Sequence, residues 1–551
     1  MLNRKLTKLG AILVSALLIS SVLVGCGGNS GESSSTEQKV SYNLGADPQT
    51  IDPGLNNSVE GGTVVSNAFE GLVDIDKNEK VIPGVASSWD ISADKLTYTF
   101  HLRKNAKWSD GKPVKSKDFE FAWKRALAPE TASDYAYQLY YLKNGEDYNE
   151  GKASKDSVGV KAVDDYTLKV ELAAPTPYFL SLTAFPTYMP LREEIVTKDN
   201  KGWAAKKENY ISNGPFYMTD WKLKSTMTFK KNPNYWNKST VKLDIITYYM
   251  LAQESSATAA YTSGQIDIND NNLVPSVQKQ DLIKKGEAKV YPYYGTYFYD
   301  INVGDKDSSN GAEITKALKN PKVREALTLA IDRESIVKNI TKGGEKPATS
   351  FVPSSIKLSD GKAFKNKEYY SAKGDVKKAK ALLAEAGYPD GKGFPTIQIM
   401  YNEGSNNQDV TQALQDMYKK NLNINVTLQS VERKVQLDNL TKQQYQICRA
   451  SWIADYNDPM TFMDMYVTGG GNNNPGYSNS EYDALIKDAK STPDTTKRID
   501  DMHKAEDILM RDLPIIPVYE YTNVVEIKSY VKDFHKSPLG FVYFNNTYIK
   551  K

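Results

Sequence analysis

Residues 397–428 read IQIMYNEGSNNQDVTQALQDMYKKNLNINVTL, and this stretch indicates the fold class. Apolar side chains alternate from Ile397 to Tyr401, which predicts a half-buried strand. A helix is expected over residues 408–420, and a second alternating strand over residues 422–428. Strand, helix and strand at this spacing predict a βαβ unit with a right-handed crossover. We therefore expect an α/β fold with at least two lobes.

Similar patterns occur elsewhere along the chain. Residues 96–102 alternate strictly between apolar and polar side chains, which predicts a strand with His101 on its polar face. A helix is expected from about Ser116. Asn320, which a proline follows, has the side chain of a helix cap, and residues 375–386 predict a further helix. These elements surround the βαβ unit with additional strands and helices.

The N-terminus has the features of an export signal. Basic residues precede an apolar run from Leu9 to Val24, which is shorter than the roughly 20 residues that a spanning helix needs. A removable signal over residues 1–25 therefore fits better than a transmembrane anchor. The pattern resembles a bacterial lipoprotein signal, in which Cys26 receives a lipid. Residues 26–39 are rich in Gly, Ser and Glu and are expected to form a flexible tether.

Composition limits the function of the remaining chain. A length of 551 residues predicts two to four domains. The chain has 70 basic and 67 acidic residues, and three of the basic residues lie in the signal, so the body is balanced and no nucleic-acid partner is expected. Cys448 is the remaining cysteine after Cys26. It is expected to be a small buried core residue, and no internal disulfide is possible.

Recognisable catalytic and metal sites are scarce in the sequence. The three histidines are far apart, and the HExxH, P-loop, GxGxxG and GxSxG motifs are absent. We therefore expect no metal, no cofactor and no catalytic residue, although the many carboxylates leave glycosidase-type chemistry open. The 36 tyrosines suit a binding cleft, but most are expected to be ordinary strand residues. An exported protein of this kind is more often a binding protein.

One segment, residues 449–459, combines an arginine, a tryptophan and a carboxylate before a proline turn. It can be interpreted as a strand end with a solvated loop. It can equally be a pocket in which one carboxylate meets a ligand ammonium and the arginine meets a carboxylate. Chemistry alone leaves both interpretations open.

Several segments in the same order along the chain carry a resemblance to a known family. They are Ile51-Asp52-Pro53, Phe69-Glu70-Gly71-Leu72, Pro83-Gly84-Val85-Ala86, the run from Tyr98 to Gly111, Ser212-Asn213-Gly214-Pro215-Phe216, the run from Lys231 to Trp236, and residues 449–459. From about residue 40 to residue 551 the chain resembles the oligopeptide-binding lipoproteins of ABC importers, in the peptide/nickel class of solute-binding proteins, family 5.

The resemblance implies a periplasmic-binding-protein-like α/β fold with an extra inserted domain, and therefore three lobes. Ligand would be enclosed between lobes I and III as they close about a hinge. The implied bounds are 40–58, 187–291 and 520–551 for lobe I, 59–186 for lobe II, and 292–519 for lobe III.

The resemblance also implies which residues contact the ligand. Asp455 would pair with the N-terminal ammonium of a peptide, because a buried ammonium without a partner is costly. Arg449 would supply a cation for the peptide carboxylate. Main-chain partners in a β-augmentation mode would come from Ser451, Trp452, Asn271 and the strand from Tyr293 to Phe298, and Asp47 would line the cleft.

The chain departs from the enteric members of this family at several positions. Gly295 and Ile453 stand where those proteins have a cysteine pair, so that disulfide is absent. Asn407 stands in place of a histidine near the peptide C-terminus, and Leu440 in place of a basic residue, although Lys442 is close by. Anchoring of the peptide carboxylate is the part of the site that these changes affect.

We expect an oligopeptide receptor that delivers peptides to an ABC importer permease. It would be a monomer held by the lipid on Cys26 at the extracytoplasmic side of the membrane, at the cell surface or in the periplasm. A dipeptide, a signalling peptide or a metal chelate is the alternative ligand within the family. An exported hydrolase is the alternative from another class.

Overall fold

The computed structural model describes residues 37–270, 273–304, 311–358, 360–404 and 406–551. The predicted signal, Cys26 and Asn271 lie outside the described residues, as does the 26–39 tether except for its last three residues. Lys39 already belongs to the first strand. Residues from Gln38 onward pack together as one unit.

The described residues form strands and helices, as expected for an α/β fold. In chain order the strands are β1 (Lys39–Asn43), β2 (Val73–Ile75), β3 (Val81–Pro83), β4 (Ala86–Ile91), β5 (Thr97–Leu102), β6 (Val160–Asp164), β7 (Thr167–Glu171), β8 (Phe216–Lys222), β9 (Thr226–Lys231), β10 (Ile245–Tyr249), β11 (Ile268–Asn269), β12 (Ala288–Ile301), β13 (Lys346–Pro347), β14 (Ile397–Asn402), β15 (Val426–Val431), β16 (Ile447–Ile453), β17 (Ile515–Ile527), β18 (Val531–Lys532), β19 (His535–Lys536), β20 (Val542–Tyr543) and β21 (Tyr548–Ile549).

The helices cover the faces of the sheets. They are α1 (Val59–Ala68), α2 (Ser116–Leu127), α3 (Gly145–Asn149), α4 (Phe179–Leu182), α5 (Glu193–Val196), α6 (Glu254–Ser263), α7 (Ser276–Lys285), α8 (Ala312–Lys319), α9 (Pro321–Leu329), α10 (Arg333–Ile336), α11 (Val376–Glu385), α12 (Asn407–Leu422), α13 (Arg433–Lys442), α14 (Met460–Met463), α15 (Ser480–Ser491) and α16 (Thr495–Asp512). Short 3-10 turns and a π-helical turn at Val337–Thr341 connect several of them.

One mixed sheet of eleven strands extends through most of this unit. Its order is β15-β14-β16-β12-β17-β11-β1-β10-β9-β8, and β13 pairs with β17 beside this path. A separate antiparallel sheet, β4-β5-β7-β6, belongs to the segment expected as lobe II. The fold is therefore α/β with several sheets, as the βαβ pattern predicts.

The predicted βαβ unit is present, with one shifted boundary. β14 and β15 are parallel neighbours, and Ile397 pairs with Val426. The second strand begins at Val426, because Leu422 ends α12 and Asn423 follows in the left-handed conformation with φ of 57°. Predicting the strand from residue 422 was wrong, since the apolar side chain of Leu422 packs the last turn of the helix into the core.

Helix caps and burial also follow the sequence pattern. Asn320 accepts a hydrogen bond from the backbone of the first turn of α9, and Asp375 does the same for α11. His101 stays on the solvent side of β5 and contacts Asp90 at 2.8 Å. Cys448 is fully buried, and burial raises the pKa of its thiol to about 12. This supports a core role for that cysteine.

β12 and β17 are the long central strands of the large sheet. They pair from Ala288 with Glu526 at one end to Asp300 with Ile515 at the other, and the pairing is interrupted between Pro292 and Thr296. At this point the two strands continue, but the ladder of hydrogen bonds between them is broken. A local break in a ladder allows two strands to bend without losing their other hydrogen bonds.

A buried ion pair fastens the inserted segment to the half of the sheet that contains β1. Arg125 of α2 makes two hydrogen bonds, at 3.1 and 2.8 Å, to the carboxylate of Asp52, and Trp203 Nε1 donates to the same carboxylate at 2.8 Å. Both charged side chains are almost fully buried. Breaking such a pair leaves a buried charge without a partner, so separating α2 from Asp52 is costly.

Candidate functional site

The predicted binding segment begins on β16, which has one paired edge and one largely free edge. β12 pairs with β16 along Ile447–Ile453. On the other edge, β14 pairs with β16 only at Ile447 and Cys448, so the stretch from Arg449 to Ile453 has no partner strand among the described residues. An edge of this kind can accept an extended chain.

The backbone groups that point to the free edge can be identified from the ladder. Ala454 N–H donates to a carbonyl of β12 at 2.7 Å, so alternate residues of the strand face β12. Gln436 Nε2 donates to the Arg449 carbonyl at 2.6 Å from the other side. Ser451 and Ile453 therefore direct their N–H and C=O groups toward the free edge. Both of these residues are half-buried, as expected for the wall of a cleft.

Asp455 lies directly after this edge and is 8% exposed. The Tyr137 hydroxyl donates to one carboxylate oxygen at 3.0 Å, and the Tyr135 hydroxyl lies 3.4 Å from the other. Burial raises the pKa of Asp455 to about 7, and the two tyrosine hydroxyls oppose that shift. The carboxyl group thus titrates near neutrality and has neutral partners.

The acidic neighbours of Asp455 are paired, which makes its own situation distinctive. Asp458 forms an ion pair with Arg498 at 2.7 Å, and Asp464 forms one with Lys490 at 3.3 Å. Among the described residues, no cation lies within ion-pair distance of Asp455. A buried carboxylate of this kind is well placed for a ligand cation.

Arg449 occupies the other end of the free edge and is also 8% exposed. Its guanidinium lies over the ring of Tyr297, 4.7 Å from the centroid, and donates to the Tyr521 hydroxyl at 2.7 Å and to Asn402 Oδ1 at 3.3 Å. Its Nε is buried without a hydrogen-bond partner. The described residues place no carboxylate within ion-pair distance of Arg449. The site therefore has a buried cation that lacks an anion.

Trp452 and Thr461 position the segment between these two charges. Trp452 is half-buried, and its Nε1 donates to Thr461 Oγ1 at 3.2 Å. The Asp455 backbone N–H donates to the same hydroxyl at 3.2 Å. A single threonine thus fixes both the indole ring and the turn that carries the carboxylate.

The structure contradicts the expected main-chain role of Phe298. The backbone around Phe298 pairs with Ala450 of β16 on one side and with Pro517 of β17 on the other, so neither edge is free for a ligand. Its ring is 1% exposed and packs edge-on against Phe351 at 5.4 Å. Period-two alternation identifies this strand but cannot show that both of its edges are occupied. Phe298 is a core residue.

The remaining expected residues lie at different distances from the free edge. Tyr293 is half-buried, and its ring is 5.9 Å from that of Tyr521, which holds Arg449. Asp47 accepts from Trp221 Nε1 at 3.2 Å and from the Lys224 backbone in the β8–β9 hairpin, at the opposite end of the sheet. The structure does not bring Asp47 together with Asp455 or Arg449. Its place in the cleft stays a prediction.

The departures from the enteric pattern are visible in the geometry. Gly295 and Ile453 are directly opposite each other on β12 and β16, where a cysteine pair would face across the ladder. Asn407 is buried and donates to the carbonyl and side-chain oxygens of Asn402, which in turn contacts Arg449. Asn407 therefore supports the arginine pocket from behind.

Sequence reasoning missed the tyrosines that complete the site. Tyr135 and Tyr137 come from the inserted segment, more than 300 residues before Asp455. Tyr521 comes from β17. The excess of tyrosine in the composition is the only sequence signal that points toward them.

Within the described ranges, no cluster of metal-ligating side chains is present, and no helix has the length and apolarity to span a membrane.

Comparisons with known proteins identify the family of this chain. The profile described as "Bacterial extracellular solute-binding proteins, family 5 Middle" matches residues 80–474. The "Oligopeptide-binding protein OppA" of Bacillus subtilis (strain 168) is 39% identical over 554 residues, which cover 98% of this chain and 99% of that protein.

Two solved structures share the fold over nearly the whole chain. The substrate-binding domain of an oligopeptide ABC transporter from Bacillus anthracis str. Ames is 35% identical, with a TM-score of 0.81 and coverage of 94% of this chain and 99% of that one. Haemophilus influenzae OppA in complex with RPPGFSPFR is 34% identical, with a TM-score of 0.79 and the same coverage. These relatives confirm the expected periplasmic-binding-protein-like fold with several lobes.

Proposed function

Because the chain belongs to the bacterial extracellular solute-binding proteins of family 5, we propose that it is an oligopeptide receptor of an ABC importer. The observation that carries this proposal is the free edge of β16 with a buried charge at each end. Asp455 has no cation and Arg449 has no anion among the described residues. A free peptide has a backbone, an ammonium and a carboxylate, and therefore complements all three features.

The N-terminal ammonium of the peptide is the natural partner of Asp455. An ammonium taken out of water needs a charged or strongly polar partner, and a carboxylate that already lies in a buried pocket provides one. Tyr137 and Tyr135 would keep their hydrogen bonds to the carboxylate while the ammonium supplies the missing charge. Every peptide with a free N-terminus offers this group, so the anchor is independent of sequence.

The peptide backbone would pair with Ser451 and Ile453 as an added strand. The direction from Asp455 to Arg449 then brings the peptide carboxylate toward the guanidinium. Six residues of extended strand separate these anchors, which corresponds to about 20 Å between their Cα atoms. A peptide of roughly four residues, with a hydrogen bond at each end, spans this distance.

We propose the lobe bounds stated above, with lobes I and II acting as one body. The buried pair of Arg125 with Asp52 supports that joint movement. Lobe III would rotate about the irregular part of β12 and β17, near residues 292 and 520. The hydrogen bond of 2.9 Å between Tyr141 and Tyr456 would then form only when lobes II and III meet.

The setting of the receptor is also part of the proposal. A lipid on Cys26 would hold the protein at the extracytoplasmic side of the membrane, where an importer permease receives its ligand. We propose that it acts as a monomer, and that it binds peptides without cleaving them. The family and the relatives named above are binding proteins, which supports this view.

Calorimetry with tetra-alanine and N-acetyl-tetra-alanine tests the amine anchor. The free peptide is expected to bind, whereas acetylation or Asp455→Ala should weaken binding by at least a hundredfold. Asp438→Ala, which removes an exposed carboxylate from α13, serves as the matched control and should change nothing. Equal affinity of the two peptides would contradict the anchor.

Mass spectrometry separates the alternative ligands and activities. Peptides of about four residues should be released from protein that is purified natively and then denatured. Recovery of dipeptides alone, or of a metal chelate, would redirect the proposal within the family. Loss of intact tetra-alanine during long incubation with pure protein would indicate a hydrolase instead.

A further inference from the structure

A second arginine stands beside Arg449 at the carboxylate end of the proposed site. Arg433 is the first residue of α13, the helix that precedes β16. Its Nη1 donates to Gln436 Oε1 at 2.5 Å, and the amide nitrogen of Gln436 donates to the Arg449 carbonyl at 2.6 Å. Gln436 is fully buried, so it links the Arg433 guanidinium to the backbone of β16 at Arg449.

The two positive charges lack compensation. The partners of Arg449 are the neutral side chains of Tyr521 and Asn402, and those of Arg433 include the neutral amide of Gln436. No carboxylate of the described residues lies within ion-pair distance of either guanidinium. Desolvation, followed by the charge of Arg449, lowers the pKa of Arg433, which agrees with two cations that repel each other.

The exposure of the two side chains differs, and this assigns them different roles. Arg449 is buried and its Nε has no hydrogen-bond partner among the described residues, so a carboxylate that enters the cleft would find an available donor. Arg433 is the more exposed of the two residues, although its guanidinium is partly enclosed where it contacts Gln436. Through Gln436, the Arg433 guanidinium lies at the same end of the free edge as Arg449.

We propose that Arg433 and Arg449 together select peptides whose last residue carries a second carboxylate, glutamate or aspartate. This inference rests on the proposed function and specifies its substrate class. The C-terminal carboxylate neutralises one guanidinium, and an acidic side chain neutralises the other. Arginine presents a planar fork that matches a carboxylate, so two such pairs can form side by side.

The expected preference is moderate because Arg433 is exposed. Ion pairs of exposed side chains are screened by water and salt, and they change affinity by no more than about fivefold. Replacing a C-terminal glutamine by glutamate keeps size and shape and adds only the charge. The difference between these two peptides measures the preference directly.

The test compares Ala-Ala-Ala-Glu with Ala-Ala-Ala-Gln, and the corresponding pairs of three, five and six residues, by calorimetry at low salt. Wild-type protein should bind the glutamate peptide about three- to fivefold more tightly at the best length. Arg433→Gln should reduce that ratio to below twofold, and Arg433→Lys should keep part of it. In 0.5 M salt the wild-type ratio should shrink.

Lys434→Gln is the matched control, because it removes an exposed cation from the next position of the same helix and should keep the full ratio. Equal binding of both peptides at every length, or an unchanged ratio in Arg433→Gln, would overturn the inference. If the glutamine peptides bind and only the preference is absent, the receptor function stands and this inference alone fails. If no peptide binds at any length, the proposed function fails with it.

Discussion

Peptide binding should weaken as the pH falls below neutrality, because the proposed pairing of the ligand ammonium with Asp455 requires an ionised carboxylate. Burial raises the pKa of this carboxyl to about 7 in the absence of ligand. In the complex, the ammonium stabilises the charged form and lowers that pKa. Binding at acidic pH must therefore release a proton, and the affinity falls with the ionised fraction.

The magnitude follows from the titration of one group. With a pKa of about 7, roughly three quarters of Asp455 is ionised at pH 7.5 and about 3% at pH 5.5. The association constant for tetra-alanine should therefore fall about 25-fold over this interval, which is a loss of nearly 2 kcal/mol. The peptide amine, with a pKa near 8, stays largely protonated throughout.

Calorimetry in two buffers of different ionisation enthalpy measures both consequences. At pH 6 the heats should report release of about 0.9 proton per peptide bound. Asp455→Asn should bind more weakly and lose this pH dependence. Glu506 has a buried carboxyl with a pKa of about 7 as well, and it is unchanged in that variant, so the loss would assign the pH dependence to Asp455. Constant affinity between pH 7.5 and 5.5, or no proton release in the wild type, would refute the reasoning.

Three further predictions concern stability and closure. Arg125→Met leaves Asp52 buried without its cation and should lower the free energy of unfolding in urea by about 3–5 kcal/mol, whereas Lys152→Met, at an exposed pair, should leave it nearly unchanged. Burial raises the pKa of Asp300 to about 8, so the folded state holds a proton that the unfolded chain releases, and stability should decline as the pH rises from 4 to 8. Asp300→Asn should reduce that decline, which is measured as the melting temperature at each pH. Tyr141→Phe removes a hydroxyl contact between the proposed lobes II and III and should speed ligand dissociation several-fold in stopped-flow measurements, with an unchanged melting temperature.

Local elements of the fold could be predicted from sequence because their signals are local. The alternation in β14 and the capping side chain of Asn320 depend on neighbouring residues and appear as expected. The boundary at Leu422 was misjudged because an apolar residue at a helix end continues the alternation of the strand that follows. Periodicity reports burial, and burial alone does not distinguish the last turn of a helix from the first residue of a strand.

The site required information that periodicity does not contain. The segment from Arg449 to Asp455 could be singled out by its charges, but its role came from the family resemblance. The pairing of both edges around Phe298 is a property of the assembled sheet, and it removed that residue from the site. Tyr137 approaches Asp455 through the packing of a distant insertion, for which no local pattern exists.

The position of β17 in the sheet has a consequence for how the chain folds. β17 lies between β12 and β11, and it pairs with β12 across more than 200 residues of sequence, as Ala288 with Glu526 shows. During synthesis, a chain that has made β12 still lacks the strand that joins the two halves of the sheet. Contacts of such high sequence separation slow folding, because a long loop must lose entropy on closing before the paired strands gain their stabilising contacts. A nascent chain should therefore stay incompletely folded until β17 has been made.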